Sequence, residues 1–349
     1  ADLWNVHVDT IPHWAPPTHA LQILHLCETS SIRMLWIQAT NPAVSMPDLG
    51  RIRRLLAKDD LFVVVQDAFM TETAALADLV LPAAIWGEKT GCSTNVSRVV
   101  HLHHKAVEPP GEARSNHDLV CALAARFGLD DPTFRMSGLE LADATLRASG
   151  YPGAEEMTER RWLDVQPPFE RAHFLDGFGH PDGRFRFRAD WRALGDAAGA
   201  LPALPDWVPI VDAATDEQPM RLVAAPARQF LNSTFTETPS ARKREGRPTA
   251  LIAPADAARH GIADGAPVRL GNARGEVVLH ARHVADQTPG TVVVESIWPA
   301  DAFGVSGGGP AQGINALTSD EPALPGGGAV FHDTAVWMRA EVPVALAAE

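Results

Sequence analysis

The sequence contains few cysteines and no long apolar segment, and both absences narrow the class of protein. Its 349 residues include three cysteines (Cys27, Cys92 and Cys121) whose wide spacing forms neither a disulfide framework nor a C-x-x-C metal pair. This spacing fits a reducing compartment and predicts a cytoplasmic protein, although a chain that begins at Ala1 and not at methionine leaves the periplasm open. No apolar run approaches ~18 residues, so no membrane-spanning helix is predicted.

Basic residues are also scarce. The formal net charge is −13, which argues against nucleic acid as the main partner but leaves room for a local basic pocket. With 46% hydrophobic and 21% charged residues, the composition is that of a globular protein, and the length suffices for two or three domains.

Several catalytic and nucleotide-binding motifs are missing. No G-x-G-x-x-G follows a predicted strand, and there is no Walker A or H-E-x-x-H sequence, so a standard nicotinamide site is not supported. A G-x-S-x-G match at 304–308 is followed by glycine and proline, which oppose the helix that a nucleophile elbow needs, so a glycine loop is predicted. His101, His103 and His104 lack a carboxylate or cysteine at ligand spacing, which favours a solvated strand over a metal site.

Apolar runs and amphipathic stretches alternate in the first third of the chain. Continuous apolar runs at 32–40, 61–67 and 78–84 predict buried strands, and the segments 46–60 and 71–77 predict helices, the second capped by Thr71 or Thr73. This order is typical of a parallel sheet covered on both faces, so the fold class of this part is α/β with αβα layers.

The pattern changes near residue 216. Short strands are predicted at 221–228, on both sides of an Asn-Ala-Arg-Gly turn within 266–284, and at 288–296, which indicates an all-β barrel. Helices are predicted at 117–128 and 254–261, and a hairpin is predicted around 181–183. The basic run at 242–247 is predicted to be either a solvated loop or a contact to phosphate. The predicted domains are the end of a preceding α/β domain (1–30), a partial α/β domain (31–215) and the barrel (216–349).

All three predicted strands of the α/β part end in polar or turn residues. In parallel sheets ligands bind outside the carboxyl ends of the strands, so these ends predict a ligand-facing rim. Asp67 ends the second strand, and its carboxylate suits the adjacent N1–H and N2–H₂ groups of guanine. A helix N-cap for the following segment explains the same position equally well, and both readings stay open.

Long motifs resemble those of the molybdopterin oxidoreductase family, and more narrowly its formate dehydrogenase and nitrate reductase branch. They are LWIQATNPAVSMPD, FVVVQDAFMTETAALADLVLPAAIWGEKTGCSTNVSR and HKAVEPPGEARSNHDLVCALAARFG, followed later by ALIAPADAARHGIADGAPVRLGNARGEVVLHARHV. The resemblance covers most of the chain in the family's order and implies a C-terminal double-psi β-barrel. It also implies a bis-molybdopterin guanine dinucleotide cofactor with molybdenum or tungsten.

The resemblance assigns cofactor contacts residue by residue. At the strand ends and the loops that follow them, the matching positions are Thr40, Asn41, Gln66, Asp67, Thr71, Glu88, Gly91, Thr94, Asn95 and Arg98. In and near the barrel they are Arg228, Asn232, Ser233, Thr234 and Asn315. Two departures, Cys92 for a usual threonine and Ser97 for a usual acidic residue, each weaken one expected contact.

The family's N-terminal cysteine cluster for a 4Fe-4S centre, and its segment carrying the cysteine or selenocysteine metal ligand, have no counterpart here. The chain therefore resembles the C-terminal half, with no catalytic residue or metal ligand of its own, and its expected partners are the other half or a partner subunit and an electron-transfer protein. The resemblance implies nitrate as substrate in an assimilatory nitrate reductase-like enzyme, with formate second. A cofactor-binding scaffold without redox chemistry is the alternative from another class.

Overall fold

The computed structural model describes residues 7, 19–194, 198–303 and 313–341. The described residues form two compact units, one containing 66–69 and 81–189 and the other containing 19–65, 70–80, 190–194, 198–303 and 313–341. The glycine loop predicted at 304–308 lies outside the described residues, as do residues 8–18 of the predicted first segment. Among the described residues, no helix is both long and apolar enough to cross a membrane.

A three-stranded sheet in the order β1-β2-β3 confirms the strands predicted in the first part. Its elements are helix α1 (Ala20–Glu28), strand β1 (Met34–Gln38), helices α2 (Pro42–Ser45) and α3 (Leu49–Leu56), strand β2 (Phe62–Asp67) and strand β3 (Leu79–Pro82). Helix α3 is capped by Asp48, whose carboxylate accepts from the Arg51 N–H, and it buries Ile52, Leu55 and Leu56 in the same core as the sheet.

The helix predicted at 71–77 is wrong in type, since only a single 3-10 turn forms at Ala74–Leu76. Thr71 caps it as expected, with Oγ1 accepting from the Ala74 N–H at 3.2 Å. The turn stops early because Asp78 returns at once to the sheet, where its carboxylate accepts from the Val63 N–H at 2.7 Å. Too few residues remain between cap and strand for an α-helical turn to propagate.

The first unit contains a second three-stranded sheet, in the order β4-β5-β6. Its elements are strands β4 (Gly91–Thr94) and β5 (Val99–His103), helices α4 (Asn116–Arg126), α5 (Gly138–Ala148) and α6 (Ala154–Arg160), strand β6 (Trp162–Asp164) and helix α7 (Phe169–Ala172). Strands β4 and β5 form an antiparallel hairpin, and Val100 and Leu102 face the core while His101 and His103 lie on the other face. The hairpin predicted around 181–183 is wrong, because only a turn forms there and none of residues 169–189 belongs to a strand.

A closed six-stranded barrel confirms the all-β prediction for the C-terminal part. Its strands are β7 (Met220–Ala225), β8 (Thr249–Ile252), β9 (Pro267–Gly271), β10 (Glu276–His283), β11 (Thr291–Glu295) and β12 (His332–Ala340), closed in the order β10-β8-β11-β7-β12-β9. Two neighbouring pairs, β7–β11 and β8–β10, are parallel, and the other pairs are antiparallel. Alternate residues of every strand point inward and fill the barrel.

Two helices flank strand β8. Helix α9 (Pro254–Arg259) is the predicted one, and Gly261 follows it with a left-handed φ of +64°. The solvated loop predicted for the basic run at 242–247 is wrong, because residues 239–245 form helix α8 (Pro239–Glu245). Proline starts this helix, a left-handed Gly246 ends it, and the cationic side chains of its last turn oppose the negative end of the helix dipole.

Candidate functional site

A pocket opens where two parallel strands of the barrel end. The parallel register places Val294 beside Ala224 and Glu295 beside Ala225, and the Ser296 N–H then donates to the Ala225 carbonyl at 2.8 Å. Beyond these carboxyl ends lies a cavity of about 390 Å³, which we name the barrel-mouth pocket. Its polar lining residues are Ser45, Asn232, Ser296, Asn315 and His332. Its size falls in the range of small-molecule sites.

Asn315 supplies an unsatisfied acceptor to this pocket. Its side chain is 1% exposed, and its Nδ2 donates to the carbonyls of Val44, at 3.3 Å, and Ser45, at 3.1 Å. The other amide atom, Oδ1, is buried and accepts no hydrogen bond from the described residues. Because an unmet buried acceptor is costly, this oxygen indicates a missing donor, which a ligand with an N–H group would provide.

Ser296 has a similar unmet group. It is 5% exposed, its Oγ is buried, and that oxygen finds no partner in the described part of the chain. Its φ of +82° lies in the left-handed region that non-glycine residues seldom adopt. By contrast, the hydroxyl of Ser45 is already used, since it donates to the Asn41 carbonyl at 2.9 Å.

The loop after β7 carries four predicted contact residues. Leu231 and Thr234 exchange backbone hydrogen bonds of 3.1 and 2.9 Å, which closes a tight turn around Asn232 and Ser233. Asn232 has a φ of +53°, a conformation that asparagine tolerates better than most residues, and it faces the pocket. Arg228 is exposed and forms no ion pair within the described ranges, so its guanidinium stays available for an anion.

Charge pairs hold the segment that carries Asn315. The Asp48 N–H donates to the Thr318 carbonyl at 3.1 Å, and Arg51 bridges Glu28 and Asp320. The hydrogen bond from Arg51 lowers the pKa of the Glu28 carboxyl, so the pair is charged at neutral pH. The 3-10 turn Ile314–Ala316 itself is joined to the end of helix α2 by the two hydrogen bonds from Asn315 Nδ2.

At the rim of the first sheet the structure finds internal partners for Asn41. Its Oδ1 accepts from Thr73 Oγ1 at 2.6 Å and its Nδ2 donates to Glu72 Oε2 at 3.0 Å, so both amide atoms are engaged within the chain. Glu72 in turn accepts from the Ala300 N–H at 3.2 Å. Thr40, one residue earlier, is exposed and makes no side-chain hydrogen bond to the described residues.

Asp67 does not cap a helix, so that reading is wrong. Its Oδ1 accepts from the Phe69 N–H at 3.2 Å in a local Asx turn, and Thr71 caps the short turn that follows. The second carboxylate oxygen, Oδ2, accepts no hydrogen bond from the described residues, and the side chain is half-exposed. Its neighbour Gln66, by contrast, is 1% exposed.

The remaining predicted residues lie along the β4–β5 hairpin and the turn before it. Glu88 Oε2 accepts from the Ile85 N–H at 2.9 Å, which leaves Oε1 uncommitted, and Gly91 begins strand β4. Thr94, Asn95 and Arg98 come together at the exposed hairpin tip, where Asn95 O accepts from the Arg98 N–H at 2.9 Å.

The structure thus gathers Asn232 and Asn315 into one pocket and Thr94, Asn95 and Arg98 into one hairpin tip. Sequence reasoning missed three polar residues of the pocket, Ser45, Ser296 and His332. Ser296 directly follows an apolar strand of the barrel. The strand-end rule, applied above only to the first sheet, would have found this residue if it had also been applied to the barrel. No comparable signal marks Ser45 or His332.

Comparison with known proteins matches two parts of the chain to family models. The family model described as molybdopterin oxidoreductase matches residues 14–126, and the molybdopterin dinucleotide binding domain model matches 220–335. Among solved structures, acetylene hydratase from Pelobacter acetylenicus aligns with a TM-score of 0.75 at 21% identity, covering 91% of this chain and 46% of that one. At that identity the likeness concerns the fold alone.

Three curated relatives align over most of the chain. A probable oxidoreductase of Bacillus subtilis is 35% identical over 306 residues, covering 86% of this chain and 43% of its own length. The assimilatory nitrate reductase catalytic subunit of Bacillus subtilis is 26% identical over 321 residues, covering 88% and 43%. The F420-dependent formate dehydrogenase 1 subunit alpha of Methanococcus maripaludis is 28% identical over 303 residues, covering 84% and 42%.

The chain spans less than half of the length of these relatives. The two family models nevertheless match its first sheet and its barrel in the family's order, and the second covers both Asn232 and Asn315. With the relatives all oxidoreductases by name, the chain belongs to the molybdopterin oxidoreductase family.

Proposed function

We propose that this chain is the cofactor-binding C-terminal portion of a molybdenum-dependent (or tungsten-dependent) oxidoreductase. The observation that carries the proposal is the unmet Oδ1 of Asn315, an acceptor buried at the mouth of the barrel. A molybdopterin guanine dinucleotide supplies N–H donors of the kind this oxygen lacks. The match of the dinucleotide binding domain model to 220–335 supports the same assignment.

We also propose the finer features of the fold that the family implies. The two parallel pairs within an otherwise antiparallel barrel support a double-psi arrangement. The α-helices between β1 and β2 support a parallel αβα layer in the first part, since such connections usually join parallel strands. Domain boundaries near residues 30 and 215 complete this proposal.

The chain's own residues would bind and orient the cofactor. Asn315 would accept a hydrogen bond at Oδ1, and Asn232 would present its amide from the facing loop. The bound metal, when present, supplies the exchange of an oxygen atom or hydride equivalent together with two electrons. Ser296 and Asn315 are the buried residues of the pocket lining, and polar contacts to them are stronger than contacts made in open solvent.

Asp67 would read the guanine end of a nucleotide. With Oδ1 already accepting from the Phe69 N–H, the half-exposed carboxylate keeps Oδ2 for a second donor. A charged acceptor of this kind forms stronger hydrogen bonds to guanine N–H groups than a neutral amide does. Asn41, whose amide is engaged within the chain, would act by positioning the loop at 71–73, and the other positions assigned by resemblance belong to the same proposal.

For the reaction we propose nitrate reduction in an assimilatory nitrate reductase-like enzyme, with formate oxidation second. An alignment across 88% of the chain with an assimilatory nitrate reductase supports the first, and one across 84% with a formate dehydrogenase alpha subunit supports the second. The remaining half of the enzyme, an electron-transfer partner and a 4Fe-4S cluster outside these 349 residues are part of the same proposal.

The test is a purification of the full-length gene product followed by metal analysis, guanine dinucleotide analysis and turnover with nitrate or formate. We expect molybdenum or tungsten with about two guanine nucleotides per metal, and nitrate reduction by a reduced dye. A cofactor-free protein would contradict the function, and formate-only turnover would select the second reaction.

The guanine-reading role is tested by Asp67→Ala in the full-length protein. We expect about a tenfold or larger rise in the rate of cofactor loss, because a hydrogen bond to a charged group contributes about 1.5–3 kcal/mol. Asp59→Ala is the matched control, since Asp59 is an exposed carboxylate in the turn before β2. Equal cofactor retention in both variants would contradict the assignment of Asp67.

A further inference from the structure

Ser296 combines three features that nothing in the recognised motifs explains. It lines the barrel-mouth pocket, its hydroxyl is buried without a partner among the described residues, and its backbone is left-handed with a φ of +82°. Glycine is the usual residue in such a conformation, so a serine there indicates a use for its side chain.

The position of Ser296 is set by the barrel and not by its own side chain. The parallel pairing of β11 with β7 ends at Glu295 and Ala225, and the Ser296 N–H continues it by donating to the Ala225 carbonyl at 2.8 Å. At this place Ser296 belongs to the lining of the pocket, and its Oγ is buried. The backbone alone therefore anchors Ser296 at the pocket, and its hydroxyl makes no hydrogen bond to the described residues.

The two unmet groups of the pocket are chemically complementary. Asn315 Oδ1 only accepts, whereas the Ser296 hydroxyl both donates and accepts. Together they suit a heterocycle that presents an N–H group and a ring nitrogen or carbonyl oxygen on one edge, as a pterin does. A ligand with acceptors alone would leave Asn315 unmet, and an apolar ligand would leave both residues unmet.

We propose that Ser296 is a ligand-binding residue that hydrogen-bonds the heterocycle in the barrel-mouth pocket and so helps to orient it. This inference rests on the proposed function, since it takes the molybdopterin group as the ligand. It adds to that function a contact from the end of β11, a strand that contributes no residue to the contacts assigned by resemblance.

Two substitutions separate the hydroxyl from the backbone. Ser296→Ala removes the hydroxyl and keeps the strained φ, while Ser296→Gly removes the hydroxyl and relieves the strain. In the cofactor-free full-length protein we expect Ser296→Ala to be at least as stable as the parent, because an unpaired buried hydroxyl is lost, and Ser296→Gly to be the more resistant to urea of the two. In the loaded protein both variants should lose cofactor about three- to tenfold faster than the parent, as expected for one hydrogen bond.

Thr334→Val is the matched control. Thr334 is also buried in the barrel, and its hydroxyl has no partner among the described residues, but it does not line the pocket. Its substitution should therefore leave the rate of cofactor loss unchanged. The measurement is pterin fluorescence released from the loaded protein over time, which does not depend on turnover. Loss at the parental rate in both Ser296 variants would overturn the proposal and indicate that the hydroxyl holds water only. A parent purified without any cofactor would instead overturn the proposed function.

Discussion

The sharpest prediction concerns Asn315, because the nitrogen and the oxygen of its side-chain amide have different roles. Nδ2 donates to the carbonyls of Val44 and Ser45, whereas Oδ1 is buried and accepts no hydrogen bond from the described residues. Asn315→Ala leaves two buried carbonyls unsatisfied, at about 1–3 kcal/mol each, but it also removes an acceptor whose burial costs a similar amount. For the cofactor-free protein we therefore expect a net loss of about 1–3 kcal/mol in the free energy of unfolding.

The loaded protein should be affected more strongly. If a cofactor N–H meets Oδ1, the parent gains one further hydrogen bond, worth about 0.5–1.5 kcal/mol, that the variant cannot form. The stability lost on Asn315→Ala should therefore be larger by this amount in the loaded protein. Urea titrations of loaded and unloaded full-length protein, followed by circular dichroism, measure both values.

Asn272 provides the matched comparison. Its Nδ2 also donates to two carbonyls, those of Leu317 at 2.8 Å and Ala335 at 3.1 Å, but its Oδ1 accepts from the Arg274 N–H and it does not line the pocket. Asn272→Ala should destabilise the loaded and unloaded proteins equally. If Asn315→Ala behaves in the same way, with no difference between the two states, the assignment of Asn315 to the cofactor is refuted.

Two further predictions concern the barrel. Gly271→Ala should lower the free energy of unfolding by about 1–3 kcal/mol, because the new Cβ would lie 2.3 Å from the ring of Trp337. This loss of stability should largely vanish when Trp337 is also replaced by leucine, and an undiminished loss in that double variant would show another cause. His280 gives a pH dependence: burial lowers its pKa, so the unfolded chain takes up the proton first and stability falls as the pH drops below about 6.5. Urea titrations from pH 7.5 to 5.5 should show a shallower decline for His280→Gln than for the parent, and parallel declines would contradict this.

The elements that sequence predicted well are those built from local apolar patterns. The buried run at 62–67 forms β2, and the turn at 272–275 joins β9 to β10, because each pattern lies within a few residues of chain. Helix α8 was missed because a basic surface helix carries no apolar periodicity, and the run of charges was interpreted as a solvated loop. The single turn at 74–76 depends on Asp78 reaching back to Val63, which no window of sequence reveals.

The site was only partly predictable for a similar reason. Asn232 and Asn315 were found through the resemblance of long motifs, not through any pattern of spacing. Their meeting in one pocket depends on barrel closure and on contacts across 270 residues of sequence. Ser296 owes its place in the pocket lining to the parallel register of β11 with β7, and a strand's own sequence does not specify its partner strand.

The hydrogen bond between Asn315 and Ser45 also bears on how the chain assembles during synthesis. The two residues belong to one compact unit, yet residues 81–189 lie between them in sequence. Shortening the loop by that stretch would save only about 0.5 kcal/mol of closure entropy, so the interruption costs little at equilibrium. The interruption has a larger effect on the order of assembly, because the carbonyls of Val44 and Ser45 cannot bond to Asn315 until that residue has left the ribosome. The barrel-mouth pocket is therefore completed only after its last lining residue, His332, has been synthesised, and a cofactor that needs the pocket must be inserted after that point.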